Sequence, residues 1–189
     1  VMPDYRLAPE HPYPAAHDDC FNAYRGLLDD GVDAAQVSVL GESCGGGLGL
    51  GLILRARDEG LPMPVCAIAI SPGADCTGKL MSRQANNDSD PMLSQAMIDG
   101  ATKLYLQGAD PLHPYASPCR GDYQQLPPLM LTVSEEECLR DDAYAVAERA
   151  RQAGVPPAVV AHAEAILQGL DTVEASRLWM DAVAAVAGA

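Results

Sequence analysis

One serine stands out among the residues whose type and spacing could do chemistry. Ser43 lies in a Gly-x-Ser-x-Gly motif, residues 41–45, between the apolar segment 37–40 and a segment of helical character, 48–57. A strand, this motif and a helix in succession indicate a sharp turn that lifts a serine hydroxyl above a sheet edge. The free N–H groups of the new helix would point at that hydroxyl, where negative charge develops during acyl transfer. The pattern predicts that Ser43 is a nucleophile.

The same motif also fits a phosphate-binding turn or a tight turn without chemistry. A phosphate loop needs a Walker lysine or a Gly-x-Gly-x-x-Gly order after the strand, and the sequence has neither. A nucleophile turn strains the backbone of its serine and requires glycine at Gly41 and Gly45, where strand and helix cross. A tight turn without a chemical role remains an alternative interpretation of the motif at this point.

The elements that must position Ser43 alternate along the chain. Strands are predicted at 37–40, 65–70, 129–133 and 158–161, and helices at 15–28, 48–57, 94–106, 141–153 and 173–186. Continuous apolar runs such as 65–70 are typical of buried parallel strands. Alternating strands and helices predict a mostly parallel α/β sheet with helices on both faces, and we expect one domain over residues 1–189.

Composition excludes several classes of function. The chain has 12 Lys and Arg against 26 Asp and Glu, a formal net charge of −14, which argues against nucleic acid or an anionic membrane as a partner. It contains no apolar run of the ~18 residues that a membrane span needs. Its six cysteines form no Cys-x-x-Cys pair, so we expect reduced, buried thiols of a cytoplasmic protein and no metal site.

Five segments in consistent order carry a resemblance to a known family. They are 5–16, 41–47, 90–94 (Asp-Pro-Met-Leu-Ser), 108–111 (Gly-Ala-Asp-Pro) and 116–118 (Ala-Ser-Pro). Together they resemble the hormone-sensitive-lipase-like α/β-hydrolases, also called the bacterial family IV esterases, from residue 1 to about residue 156. The resemblance implies an α/β-hydrolase fold and hydrolysis of short-chain carboxylic esters or lactones. It also implies a small-molecule ester as the substrate and no cofactor.

The resemblance assigns roles residue by residue. The family nucleophile falls on Ser43, and the N–H of Cys44 would supply one donor of the oxyanion hole. The family acid falls on Glu136, with a glutamate in place of the commoner aspartate; either carboxylate can hold an imidazole in the required tautomer. Glu135 and Glu137 are alternatives one residue away, and the run also fits a solvated acidic loop.

The catalytic histidine does not carry over. After a strand the family has a histidine, often followed by Gly-Phe, but here Gln168 precedes Gly169-Leu170. We therefore expect Gln168 to occupy the histidine's position, which leaves His162, several residues earlier, as the candidate base. The remaining histidines, His11, His17 and His113, are expected to be ordinary surface or capping residues.

Two further expectations follow from the resemblance. The family's His-Gly-Gly-Gly loop lies upstream of the position of Tyr5, so we expect a hydrolase fold without the N-terminal cap and early strands. Residues 71–91, Met92 and Met97 are expected to border the acyl pocket, although core filling is an ordinary role for methionine. The function is then ester hydrolysis by a serine nucleophile. Its alternatives are an impaired hydrolase-fold binding module and an inactive truncated gene product.

Overall fold

A parallel sheet brings the ends of its strands to one edge. The computed structural model describes residues 1–155 and 157–161, and its strands are β1 (Ser38–Glu42), β2 (Cys66–Ile70), β3 (Leu129–Val133) and β4 (Pro157–Ala161). They lie in the order β1-β2-β3-β4, and every neighbouring pair is parallel. The residues that follow β1 and β3, which include Ser43 and the three glutamates, therefore emerge at the same edge. Ligands of parallel α/β sheets bind outside this edge.

Five α-helices connect or flank the strands. They are α1 (Ala15–Asp29), α2 (Cys44–Asp58), α3 (Ser82–Ala85), α4 (Gln95–Leu106) and α5 (Arg140–Gln152). Helix α2 begins four residues before the predicted start because its first turn is made of the glycine-rich segment. Helix α3 was not predicted, since its surroundings are polar and its four residues are too few to show a period. The helix predicted at 173–186 lies outside the described residues.

Both faces of the sheet are buried in its middle strands. Helix α2 packs against β1 and β2, α1 packs on α2, and α5 packs against β3 and β4. Leu129 and Leu131 of β3 belong to the core that these helices complete. Ile68 and Met130, which point to the opposite face, are buried as well. Burial of both faces explains the continuous apolar runs of these strands and confirms the predicted α/β sheet.

The cysteines are free thiols, and most of them are inert. Cys20, Cys66, Cys119 and Cys138 are buried, and none of the six cysteines forms a disulfide. Burial raises the pKa of Cys20 to about 11, which suppresses the reactive thiolate. The predicted burial is wrong for Cys44, which is exposed at the start of α2, and Cys76 is only partly buried. No helix within the part of the chain that the structure describes is long and apolar enough to cross a membrane.

Candidate active site

The turn between β1 and α2 holds Ser43 in a strained conformation. Its φ of 53° and ψ of −122° lie where a non-glycine residue is rarely found, and it directly precedes the first residue of α2. The turn is fixed from both sides, since the Ser43 N–H donates to the Ile70 carbonyl at 2.8 Å and the Ser43 carbonyl accepts from the Gly73 N–H at 2.9 Å. The strained strand–turn–helix geometry that the motif indicates is therefore present.

The glycines of the turn do not all serve the same purpose. A Cβ on Gly41 would lie 2.1 Å from the carbonyl oxygen of Gly45, so the crossing of strand and helix excludes any side chain there. A Cβ on Gly45 would have no neighbour within 4 Å. The prediction that sterics require glycine at this position is therefore wrong. The second close approach is at Gly47, whose Cβ would lie 2.1 Å from the Gly73 carbonyl oxygen.

A matched pair of substitutions tests this assignment. Gly47→Ala is expected to lower the free energy of unfolding by about 1–3 kcal/mol, because the methyl group displaces the backbone at Gly73. Gly45→Ala is expected to be neutral or to stabilise by up to about 1 kcal/mol, because alanine favours a helix over glycine. Urea unfolding followed by circular dichroism measures both. Equal unfolding midpoints for the two variants would contradict the geometry.

A largely apolar cavity of about 390 Å³ opens beside the serine. Its lining includes Ser43 and Cys44 on one side and Met97, Ile98 and Tyr105 of α4 on the other. The expected contribution of the segment 71–91 is also present, through Gly73, Asp75, Cys76 and Arg83. The volume and the apolar lining suit a small acyl group.

The expectation for Met92 is wrong, and Tyr5 is a lining residue that sequence reasoning missed. Met92 is 80% exposed and lies outside the cavity lining, because it precedes the turn that starts α4, whereas Met97 lies within α4. Tyr5 also lines the cavity, and its hydroxyl lies 3.9 Å from the Cys44 Sγ. The signal that could have found Tyr5 is its place in the first segment of the family resemblance.

The backbone N–H of Cys44, the predicted oxyanion donor, lies at the start of α2. Cys44 is the first residue of α2, and the first N–H groups of a helix have no partner within the helix. Its N–H therefore lies at the positive end of the α2 dipole, directly after the serine whose attack would create negative charge. This arrangement is the one that acyl transfer requires on one side of the oxyanion.

The three glutamates after β3 are not equivalent. The Tyr144 hydroxyl donates to the Glu135 carboxylate, and an Arg140 Nη1 lies 3.8 Å from it, so Glu135 is tied to α5. Glu136 is exposed, and its carboxylate has no hydrogen-bond or ion-pair partner among residues 1–155. It follows β3 at the sheet edge that also presents Ser43. The structure brings Glu136 to the correct edge, although it does not line the cavity.

No histidine of the described residues lines the cavity. His113 accepts a hydrogen bond from the Tyr115 N–H, which agrees with the expected capping role. The expectation for His17 is wrong, because it is buried and stacks on the Tyr115 ring with centroids 5.1 Å apart. Gly51 of α2 leaves the room for this ring, and burial lowers the pKa of His17. His162 and Gln168 both lie outside the described residues.

Comparison with known proteins identifies the family of the chain. A family model described as the alpha/beta hydrolase fold matches residues 1–167. The chain belongs to this family. It is 41% identical over 152 residues to an acetyl-hydrolase from Streptomyces hygroscopicus, a match that covers 80% of this chain and 51% of the relative. The chain thus spans about half the length of the curated relatives it matches.

Solved structures of esterases have the same fold. The crystal structure of EstE5 soaked in ethyl alcohol matches with a TM-score of 0.81 at 46% identity and covers 84% of this chain and 53% of the other. An esterase from the bacterial hormone-sensitive lipase family matches with a TM-score of 0.81 at 39% identity, with the same coverage. These matches confirm the resemblance to the hormone-sensitive-lipase-like hydrolases.

A buried aspartate fixes the loop that follows Gly73 against the turn at Ser43. The Asp142 carboxylate accepts from the N–H groups of Ala74 and Asp75 at 2.8 and 2.7 Å and from Arg83 Nη2 at 3.1 Å. Burial raises the pKa of Asp142 to about 6, and Arg83 and the two N–H groups oppose that rise. The loop continues from Gly73, which bonds to Ser43, so α5 supports the turn indirectly. The Asp142 partners Ala74 and Asp75 lie 68 and 67 residues away in the sequence, so no local pattern indicates this contact.

Among the described residues no group of three or more His, Cys, Asp and Glu side chains is arranged to hold a metal ion.

Proposed function

We propose that the protein hydrolyses small carboxylic esters through a covalent acyl intermediate on Ser43. The observation that carries the proposal is the strained Ser43 at the head of α2, facing an apolar cavity. Its family relationship to named esterases and acetyl-hydrolases supports the same chemistry. The fold alone would not, because one fold hosts many functions.

The reaction proceeds in two acyl transfers. The Ser43 Oγ attacks the ester carbonyl while a base accepts its proton, and the Cys44 N–H stabilises the oxyanion of the tetrahedral intermediate. The intermediate collapses, the alcohol leaves with that proton, and Ser43 carries the acyl group. Water then attacks the acyl carbonyl, which releases the carboxylic acid and restores the serine hydroxyl. Where a histidine stands at the position of the base, Glu136 would orient it and stabilise its charged form.

The cavity supports an apolar acyl group of modest size. Met97, Ile98 and Tyr105 form its α4 wall, and burial raises the pKa of Tyr105, so that its phenol stays neutral. A charged acyl group would lose its hydration against these side chains. Short neutral acyl esters fit this lining best.

Covalent labelling tests the proposal. A fluorophosphonate should modify Ser43 faster than any other serine, because Ser43 combines a strained turn, a place in the cavity lining and an adjacent N–H at the start of α2. Peptide mass spectrometry locates the label, and Ser43→Ala should remove it. The exposed Ser38, at the start of β1, provides an internal comparison in the same sample. Preferential labelling of another serine, or none at Ser43, would overturn the proposal.

We propose a reducing compartment, the cytoplasm, as the place of action. The support is the set of six free thiols, three of which have a pKa raised to between about 11 and about 12 by burial. Such thiols are typical of proteins that are not exposed to oxidising conditions.

A further inference from the structure

The acid loop, residues 135–138, is hydrogen-bonded to one buried side-chain amide. Asn86, the residue after α3, donates one hydrogen bond to the Glu135 carbonyl and one to the Glu137 carbonyl, both at 2.8 Å. These two carbonyls flank Glu136 on either side. Asn86 is only 8% exposed, so its two donors would be costly to leave unpaired. Its side-chain amide thus fixes the backbone on both sides of the proposed acid.

Neighbouring residues extend the same attachment. The Ser89 hydroxyl donates to the Glu136 carbonyl at 3.2 Å, and Asp90 accepts from the Cys138 N–H at 2.8 Å. The other oxygen of Asp90 accepts from the N–H groups of Met92 and Leu93, both at 2.9 Å. Leu93 lines the cavity, so a single carboxylate joins the acid loop to the cavity wall.

The charge on Asp90 is stabilised by these contacts. Partial burial opposes ionisation, but the hydrogen bonds from Cys138, Leu93 and Met92 outweigh it and lower the pKa of Asp90. The carboxylate therefore accepts these bonds at neutral pH.

We propose that Asn86 is a positioning residue for acyl transfer, because it holds the loop that carries Glu136 in the orientation that the catalytic base requires. The inference rests on the proposed function. The Glu136 side chain is exposed, and its carboxylate has no hydrogen-bond or ion-pair partner among residues 1–155. Its placement is therefore set by the backbone of the loop, and that backbone is fixed by Asn86.

Two substitutions separate positioning from folding. Asn86→Asp keeps the shape and removes both N–H donors, and Asn86→Ala removes the side chain without adding a charge. Asn22→Asp is the matched control, because it makes the same change at an exposed position on α1. Val146→Ala controls for general destabilisation, because it opens a cavity in the core.

The measurement combines three rates in the purified protein. These are fluorophosphonate labelling of Ser43, alkylation of the exposed Cys44 thiol, and hydrogen exchange of the amides of residues 135–138. Labelling is measured in the parent and in the Gln168→His variant, so that a base is present in at least one of them. Alkylation of Cys44 reports whether the nucleophile turn and the cavity mouth remain intact.

We expect both Asn86 variants to slow Ser43 labelling by about 10–100-fold where a base is present, the cost of a small misplacement. Exchange in the acid loop should become faster while Cys44 alkylation stays unchanged, and neither control should show this pattern. Labelling as fast as in the parent, or an equal loss of Cys44 reactivity, would overturn the positioning role. Failure to label Ser43 in either background would instead overturn the proposed function, and the inference with it.

Discussion

Ester turnover is expected to fall to the low level that binding and the oxyanion donor alone support when Ser43 is replaced by alanine. The strained turn places this hydroxyl in the cavity lining, directly before the Cys44 N–H. Alanine keeps the backbone substituent and removes the attacking oxygen, so the fold should be retained. Hydrolysis of a p-nitrophenyl ester measures the rate, and an unchanged urea midpoint shows that the effect is chemical.

The size of the fall also reports on the base. Members of a complete triad act as a unit, and removal of the serine or the histidine alone costs about a million-fold in subtilisin. Ser43→Ala should therefore cost far more in the Gln168→His variant than in the parent, if Gln168 occupies the base position. Ser38→Ala is the control, because it removes a hydroxyl distant from the turn. A Ser43→Ala variant that retains most of the parent's turnover would contradict the nucleophile assignment.

The part of the site that sequence predicts well is local. The strand, the turn and the helix around Ser43 are contiguous, and their geometry follows from backbone sterics over about ten residues. The same holds for β2 and β3, whose apolar runs reflect burial on both faces. Even here a rule can mislead, since Gly45 faces open space and the close approach occurs instead at Gly47. That contact is with Gly73, which is distant in sequence.

The contacts that were missed are all long-range. Asn86 lies about fifty residues before the glutamates it supports, and Asp142 lies 68 residues after Ala74, to which it bonds. A polar side chain in a polar segment has no pattern that reveals a buried partner. His17 was misplaced for the same reason, because its burial depends on Gly51 and Tyr115. Asn86, Asp142 and His17 also lie outside the five segments that carry the family resemblance.

The segment between β2 and α4 connects the parts of the proposed site at the sheet edge. It bonds to the nucleophile turn at Gly73, to the acid loop at Asn86 and to the cavity wall at Asp90. Three pieces of the proposed site therefore share one support. Since loops alone would be mobile, such side-chain bonds are what can hold a serine and a carboxylate in a common frame.

The largest gain in activity is expected from a substitution at Gln168. The residues Ile166-Leu167-Gln168-Gly169-Leu170 keep the apolar-apolar-x-Gly-apolar pattern that surrounds the histidine in the family, whereas His162 comes too early. Glutamine can donate and accept hydrogen bonds, but it cannot take a proton from Ser43 at neutral pH. We therefore propose that Gln168 stands at the position of the base and that His162 has no catalytic role.

Two variants decide between the candidates. Gln168→His should raise ester turnover by orders of magnitude, with a ceiling of about a million-fold set by the worth of a triad base. The gain should depend on Glu136, so that Glu136→Gln in the Gln168→His background removes most of it. His162→Ala should leave turnover unchanged in both backgrounds. Loss of the parent's activity in His162→Ala would show that His162 is the base, and the assignment of Gln168 would then be wrong.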